Sequence, residues 1–126
     1  MRSKTGHIIF PTKMKYKDLV PIYRDLYMRF LKETGQLEEE EERNNMLVRL
    51  NLLDLEKNRK PEGHNRNCRT KMVFPITTKG NIQFYIKGNT RSSEVTTVTE
   101  SISRFLNDKD VDHKVEWDKL RYLELR

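Results

Sequence analysis

His64 and Cys68 stand four residues apart in KNRKPEGHNRNCRTK, residues 57–71, a stretch with six Lys or Arg and one Glu. One helical turn would present both, as a nucleophile with its base or as two metal ligands. A Cys-His nucleophile needs hydrogen-bond reach and an orienting third group, and basic neighbours lower a thiol pKa. A zinc site needs three or four protein ligands, often with paired Cys. The chain has one Cys, and its only other His are His7 and His113. Gly63 and the neighbouring Asn and Arg residues argue against a helix here. The expected structure is a loop His and a thiol at the start of a strand, with no metal and no cofactor.

Acidic residues offer a second chemistry. A metal-dependent nuclease would want two carboxylates and a Lys at the end of a sheet. DKDVDHKVEWDK supplies Asp110, Asp112, Lys114, Glu116 and Asp118 around a strand start, with Asp112, Lys114 and Glu116 alternating onto one face. Such residues are also ordinary solvated punctuation between a helix and a strand. The five consecutive Glu at 38–42 would spread around a helix rather than converge, so they read as a solvated face.

Phosphate binding is the third chemistry. There is no glycine-rich phosphate loop. Each Lys-Gly-Asn triplet in KGNIQFYIKGNTRSS reads as a turn. The second leads into a helix beginning near Ser92, where backbone N–H groups with Lys87 and Arg91 could hold a phosphate. Within 57–71, Lys57, Arg59, Lys60, Arg66, Arg69 and Lys71 interleave with Asn58, Asn65 and Asn67. Arg and Lys neutralise phosphates, and Asn bonds to sugars or base edges. Gly and Pro in the middle would let the loop adapt to a partner.

Charge placement supports that reading. Residues 1–36 carry eight basic and three acidic groups, and residues 37–56 two and seven. Residues 57–91 carry nine and one, and residues 92–126 six and eight, which gives the net +6. The segment around 57–71 is the electropositive centre, and a local excess of this size favours a polyanion.

Elements must position these residues. HIIF, closed by Pro11, reads as a first strand. Leu19, Ile22 or Tyr23, Leu26, and Phe30 or Leu31 recur at helical spacing, with Pro21 in the first turn and Gly35 as the stop. A second helix is expected from about Leu37 to Lys57, antiparallel to the first, with Met46, Leu50 and Leu53 on its apolar face. TKMVFPITT and NIQFYIK read as strands joined by Lys79-Gly80-Asn81. Met72, Phe74 and Ile76 share one face, and Ile82, Phe84 and Ile86 share another. Pro75 cannot donate to a ladder, which puts its strand at an edge or a bulge. KGNTRSS reads as a connector. Val95, Val98, Ile102, Phe105 and Leu106 mark a third helix capped by Ser92 or Ser93. HKVEW and LRYLELR form a last hairpin, with Val115, Trp117, Leu120 and Tyr122 on one face.

The fold class is therefore α+β: a mostly antiparallel sheet of four to five strands, with an N-terminal helical hairpin and a second-half helix packed on one face. A length of 126 residues fits a single domain spanning 1–126. The open face of the sheet would carry Lys71, Val73, Gln83, Tyr85, Lys87, Lys114, Glu116 and Arg121, with Tyr85 free to stack a base.

One Cys excludes an internal disulfide and fits a reducing compartment. No apolar run is long enough for a membrane span or a signal peptide. The expected location is intracellular, cytoplasmic or nuclear. The expected function is non-enzymatic binding of DNA or RNA, of the kind a small regulator performs. The alternatives are a protein-interaction module or inhibitor, with a protein partner or a homodimer, and a small metal-dependent nuclease.

Overall fold

The computed structural model describes residues 3–65, 68–76 and 80–119, and of residues 90–92 the backbone alone. Strand β1 (Ser3–Ile9) leads through a 3-10 turn (Tyr16–Leu19) into α1 (Val20–Glu33) and then α2 (Glu41–Glu56). Strands β2 (Thr70–Val73) and β3 (Gln83–Ser92), helix α3 (Ser93–Asp108) and β4 (Lys114–Trp117) follow. The sheet order is β2-β3-β1-β4 with every neighbouring pair antiparallel. Each of the inner strands thus splits a β-α-β unit: β3 lies between β1 and β2, and β1 lies between β3 and β4. The helices cover one face, as the apolar patterning requires. The core joins Ile8, Met72, Phe84 and Ile86 of the sheet to Tyr23, Leu26, Tyr27, Phe30 and Leu31 of α1. Val95, Val98, Ile102 and Leu106 of α3 complete it.

Pro21 sits in the first turn of α1, where its missing N–H costs nothing, and Gly35 follows the helix at φ 68°. On α3 the apolar stripe is buried along its whole length, Phe105 included at 6% exposure. The helix approaches β1 closely because Gly6 has no side chain: a Cβ there would lie 2.2 Å from Thr99 Oγ1. Among the described residues, no helix is long and apolar enough to cross a membrane.

Four expectations are corrected. Helix α2 begins at Glu41 rather than Leu37, and it is turned about its axis relative to its apolar stripe. Met46, Leu50 and Leu53 are 64%, 49% and 44% exposed, and the buried face is Asn44, Val48, Asn51 and Leu55. Strand β2 stops at Val73, two residues before Pro75, so alternation lapses and Ile76 is 80% exposed instead of joining Met72 and Phe74. Strand β3 runs through the second Lys-Gly-Asn triplet to Ser92 and passes directly into α3, so residues 87–92 are ladder and not connector. Gly88 pairs with Thr70 there. Finally, Trp117 is half-buried and opposes Gly6 of β1. Its expected neighbours Leu120 and Tyr122 lie outside the described residues, as does Lys79 of the expected Lys79-Gly80-Asn81 turn.

Candidate functional site

Within the basic stretch, the segment at 61–64 is less a loop than an irregular edge to the sheet. His64 and Met72 exchange both backbone hydrogen bonds, at 2.7 and 3.1 Å. Gly63 takes φ 78°, and a Cβ on it would lie 2.3 Å from the Met72 carbonyl oxygen, so only glycine fits. Pro61, Gly63 and His64 are all buried, which corrects the expectation of an adaptable loop.

Asn51 anchors this edge from α2. Its Oδ1 accepts from Gly63 N at 2.7 Å and from the Tyr23 hydroxyl at 2.9 Å, and its Nδ2 donates to Leu47 O and Gly63 O. Burial, with Tyr27 close by, pushes the Tyr23 pKa well above the ordinary tyrosine range, so this hydroxyl stays a donor. The imidazole of His64 is similarly engaged. Gln36 Oε1 can only accept, so His64 Nε2 carries the proton and donates to it at 3.3 Å. His64 Nδ1 then accepts from the Tyr27 hydroxyl at 2.7 Å.

The structure does bring His64 and Cys68 to one cleft, of about 570 Å³, between Gln36, Arg43 and Met46. Both are occupied with other work. Cys68 Sγ donates to Thr70 O at 3.4 Å, and the ring nitrogens of His64 hold α1 and the α1–α2 connection. A nucleophile needs its base within reach and aimed at it, and these bonds aim the two groups elsewhere.

The cations divide into two clusters at opposite ends of β2. In the first, Lys57, Arg59 and Lys60 are exposed where α2 ends. Asn58 there accepts from Lys17 N at 3.2 Å, with φ 55° of its own. The contact sets exposed Lys15 and Lys17 beside the 57–60 run. Tyr16 stacks edge-on to Phe74, which fixes this cluster at the end of β2. Sequence reading missed Lys15 and Lys17, because the contact spans 41 residues and no local pattern announces it.

The second cluster lies at the start of β2. Arg69 is exposed and pairs with Glu94 at 2.7 Å. Lys71 and Lys87 stand directly opposite each other in register, both half-buried on the outer face of the sheet. Like charges so placed repel, and neither has an ion pair among the described residues. Arg66 and the side chain of Arg91 lie outside the described residues.

A scan of protein-family models and searches of curated proteins and solved structures return no match.

The outer sheet face is not the open stacking platform expected from sequence. The register does put Val73, Tyr85, His7 and Glu116 in one row across the strands. Yet Tyr85 is only 9% exposed, with its ring 5.2 Å from that of His7, and His7 is fully buried. The chain turns onto this face after β4. Asp118 Oδ1 accepts from Lys4 N and Thr5 N, and Lys119 N donates to His7 Nε2 at 3.1 Å. Thr5 Oγ1 lies 2.8 Å from the same Nε2. With Nε2 accepting, the proton sits on Nδ1, which has no partner among the described residues. Burial lowers the His7 pKa to about 4; nearby Asp118 opposes the shift and Lys119 adds to it.

The acidic run at 110–118 is dispersed. Asp118 caps the start of β1, and Glu116 sits 3.9 Å from Lys114. Among the described residues, no group of three His, Cys, Asp or Glu is placed to hold a metal ion.

Proposed function

We propose that this chain is a non-enzymatic nucleic-acid-binding protein that holds phosphates, with DNA and RNA equally open as targets. The observation that supports it is the meeting of Lys15 and Lys17 with Lys57, Arg59 and Lys60 around the Lys17–Asn58 hydrogen bond. Of these, Arg59 leans on Asp54 at 3.3 Å, so Lys15, Lys17, Lys57 and Lys60 are the principal phosphate ligands. Lys71 and Lys87 form a second site, since an anion between them would relieve their mutual repulsion. Tyr85 has no place in this interface, because its ring is packed against His7.

The test is a fluorescence-anisotropy titration with generic single- and double-stranded oligonucleotides across a salt series. Binding weakens steeply with salt, because each neutralised phosphate releases condensed counterion. Lys17→Gln with Lys60→Gln weakens binding to every sequence and lowers the salt slope by about one for each phosphate no longer neutralised. Lys71→Gln does the same at the second cluster. No binding at low salt, or unchanged binding in the Lys17/Lys60 variant, refutes the reading.

A further inference from the structure

The start of β1 carries an anion site that the chain fills with its own carboxylate. A regular inner strand turns successive N–H groups to opposite sides, toward its two neighbours. Strand β1 departs from this where its pairing with β3 shifts register, between Ser3 and Thr5. There Lys4 N and Thr5 N both donate to one oxygen, Asp118 Oδ1, at 2.9 and 3.2 Å. Successive N–H groups that converge in this way form a nest, a backbone concavity that holds phosphate and other anions. The Lys4 bond is exposed, so the nest opens to solvent on that side.

The cations of the second cluster lead to the same place. Lys87 is the register partner of Thr5, and Lys71 is the register partner of Lys87. Nest, Lys87 and Lys71 therefore form one row across the sheet, at about 5 Å per strand step. Lys4 adds an exposed cation at the nest itself. In the next row Glu116 lies opposite His7 and is drawn to Lys114 at 3.9 Å. Asp118 arrives from the end of β4, held by its own N–H on Thr5 O at 3.0 Å and by Lys119 N on His7 Nε2 at 3.1 Å.

A carboxylate and a phosphate make the same charge-assisted bonds to backbone N–H groups, so the two compete for one nest. We propose that this nest is a phosphate site adjoining Lys87 and Lys71, and that the Asp118 carboxylate is its internal competitor, an autoinhibitory contact. The proposal rests on the nucleic-acid reading above for what carries the phosphate. While Asp118 occupies the nest, the second cluster offers its lysines alone, with a negative charge at the end of their row. A phosphate that displaces the carboxylate gains two N–H donors as well.

The test follows the Lys4 and Thr5 amide signals by NMR as inorganic phosphate is titrated into the isotope-labelled full chain. Asp118→Ala empties the nest, and Asp118→Asn keeps an oxygen on both N–H groups without the charge. Phosphate should move both amides at the lowest concentration in Asp118→Ala, at a higher one in Asp118→Asn and at the highest in the unaltered protein, because charge-assisted bonds are roughly twice as strong as neutral ones. In fluorescence anisotropy, Asp118→Ala should tighten binding of a generic oligonucleotide about fivefold or more and steepen the salt slope by about one. Lys87→Gln in the same chain should remove the gain. Circular dichroism verifies folding, and Asp118→Asn carries the test where Asp118→Ala does not fold. Amides that ignore phosphate in both variants overturn the proposal, and so does oligonucleotide binding that is indifferent to both substitutions. Phosphate shifts without oligonucleotide binding by any variant keep the site and refute the nucleic-acid reading instead.

Discussion

Helices α2 and α3 have the same length, 16 residues, and meet the core in opposite ways. Helix α3 lies on the sheet and buries eight residues, and its apolar stripe is the face that packs. Helix α2 lies on α1 and on the segment at 61–64, and it buries four residues, two of them Asn. Its face of largest hydrophobic side chains points to solvent. Apolar periodicity marks a face that gains from being covered. It does not say by what, and hydrogen bonds can turn a helix another way. In α2, Asn51 satisfies both peptide groups of Gly63 while Asn44 exchanges two bonds with the backbone of Glu38, each 3.0 Å long. Those bonds satisfy backbone groups of Gly63 and Glu38, and with buried Val48 and Leu55 they fix which face of α2 turns inward.

The largest effect expected from this contrast is on α3. Phe105→Ala removes a buried ring that also carries Arg29 over its face at 5.4 Å. The loss is about 3–5 kcal/mol of folding stability, read from urea denaturation. A loss below about 1 kcal/mol would mean that α3 is not held by its stripe.

The counterpart on α2 is polar. Asn51→Ala leaves the Tyr23 hydroxyl and Gly63 N buried without their acceptor. Each orphaned group costs about 1–3 kcal/mol, so the loss is about 2–6 kcal/mol. Asn51→Leu should be no better, although it adds apolar area. If Leu rescues stability, the face of α2 is set by hydrophobic burial after all and the contrast collapses.

A third effect extends the contrast to the two faces of β1. Ile8 is buried against the helices, and His7 is buried on the other side as a neutral imidazole. The unfolded imidazole takes up its proton near the ordinary value of 6.5 and the folded one near 4. Between these values the unfolded chain binds more protons, so stability falls as pH drops through that window. The loss is complete below the folded value and totals roughly 3 kcal/mol. His7→Gln should flatten this part of the stability profile. An unchanged profile in that variant would assign the acid loss to other groups.

How much of this was legible in the sequence depends on the range of the interactions. The fold class, the three helices and the antiparallel pairing of β2 with β3 follow from local pattern, with Pro21, Gly35 and Pro75 acting where they stand. The strand order was not legible, because β1 enters between β3 and β4 from the far end of the chain. The edge formed by His64 was hidden by its polar, charged composition, which resembles a loop. One signal did exist: Asn44, Val48, Asn51 and Leu55 repeat at helical spacing as well as the leucines do. Reading amides as core residues required knowing that Gly63 would present both of its peptide groups to Asn51.

The smallest effect is the most exacting for the contrast. Met46→Gln and Leu53→Gln replace exposed apolar side chains with one of nearly equal helix propensity, so neither backbone preference nor buried area changes in the monomer. Measured at low micromolar concentration, each should alter stability by no more than about 0.5 kcal/mol. A loss above about 1.5 kcal/mol at low concentration would put Met46 and Leu53 inside the fold of the monomer. Helix α2 would then pack by its leucines as α3 packs by its stripe, and the rotated helix would not stand.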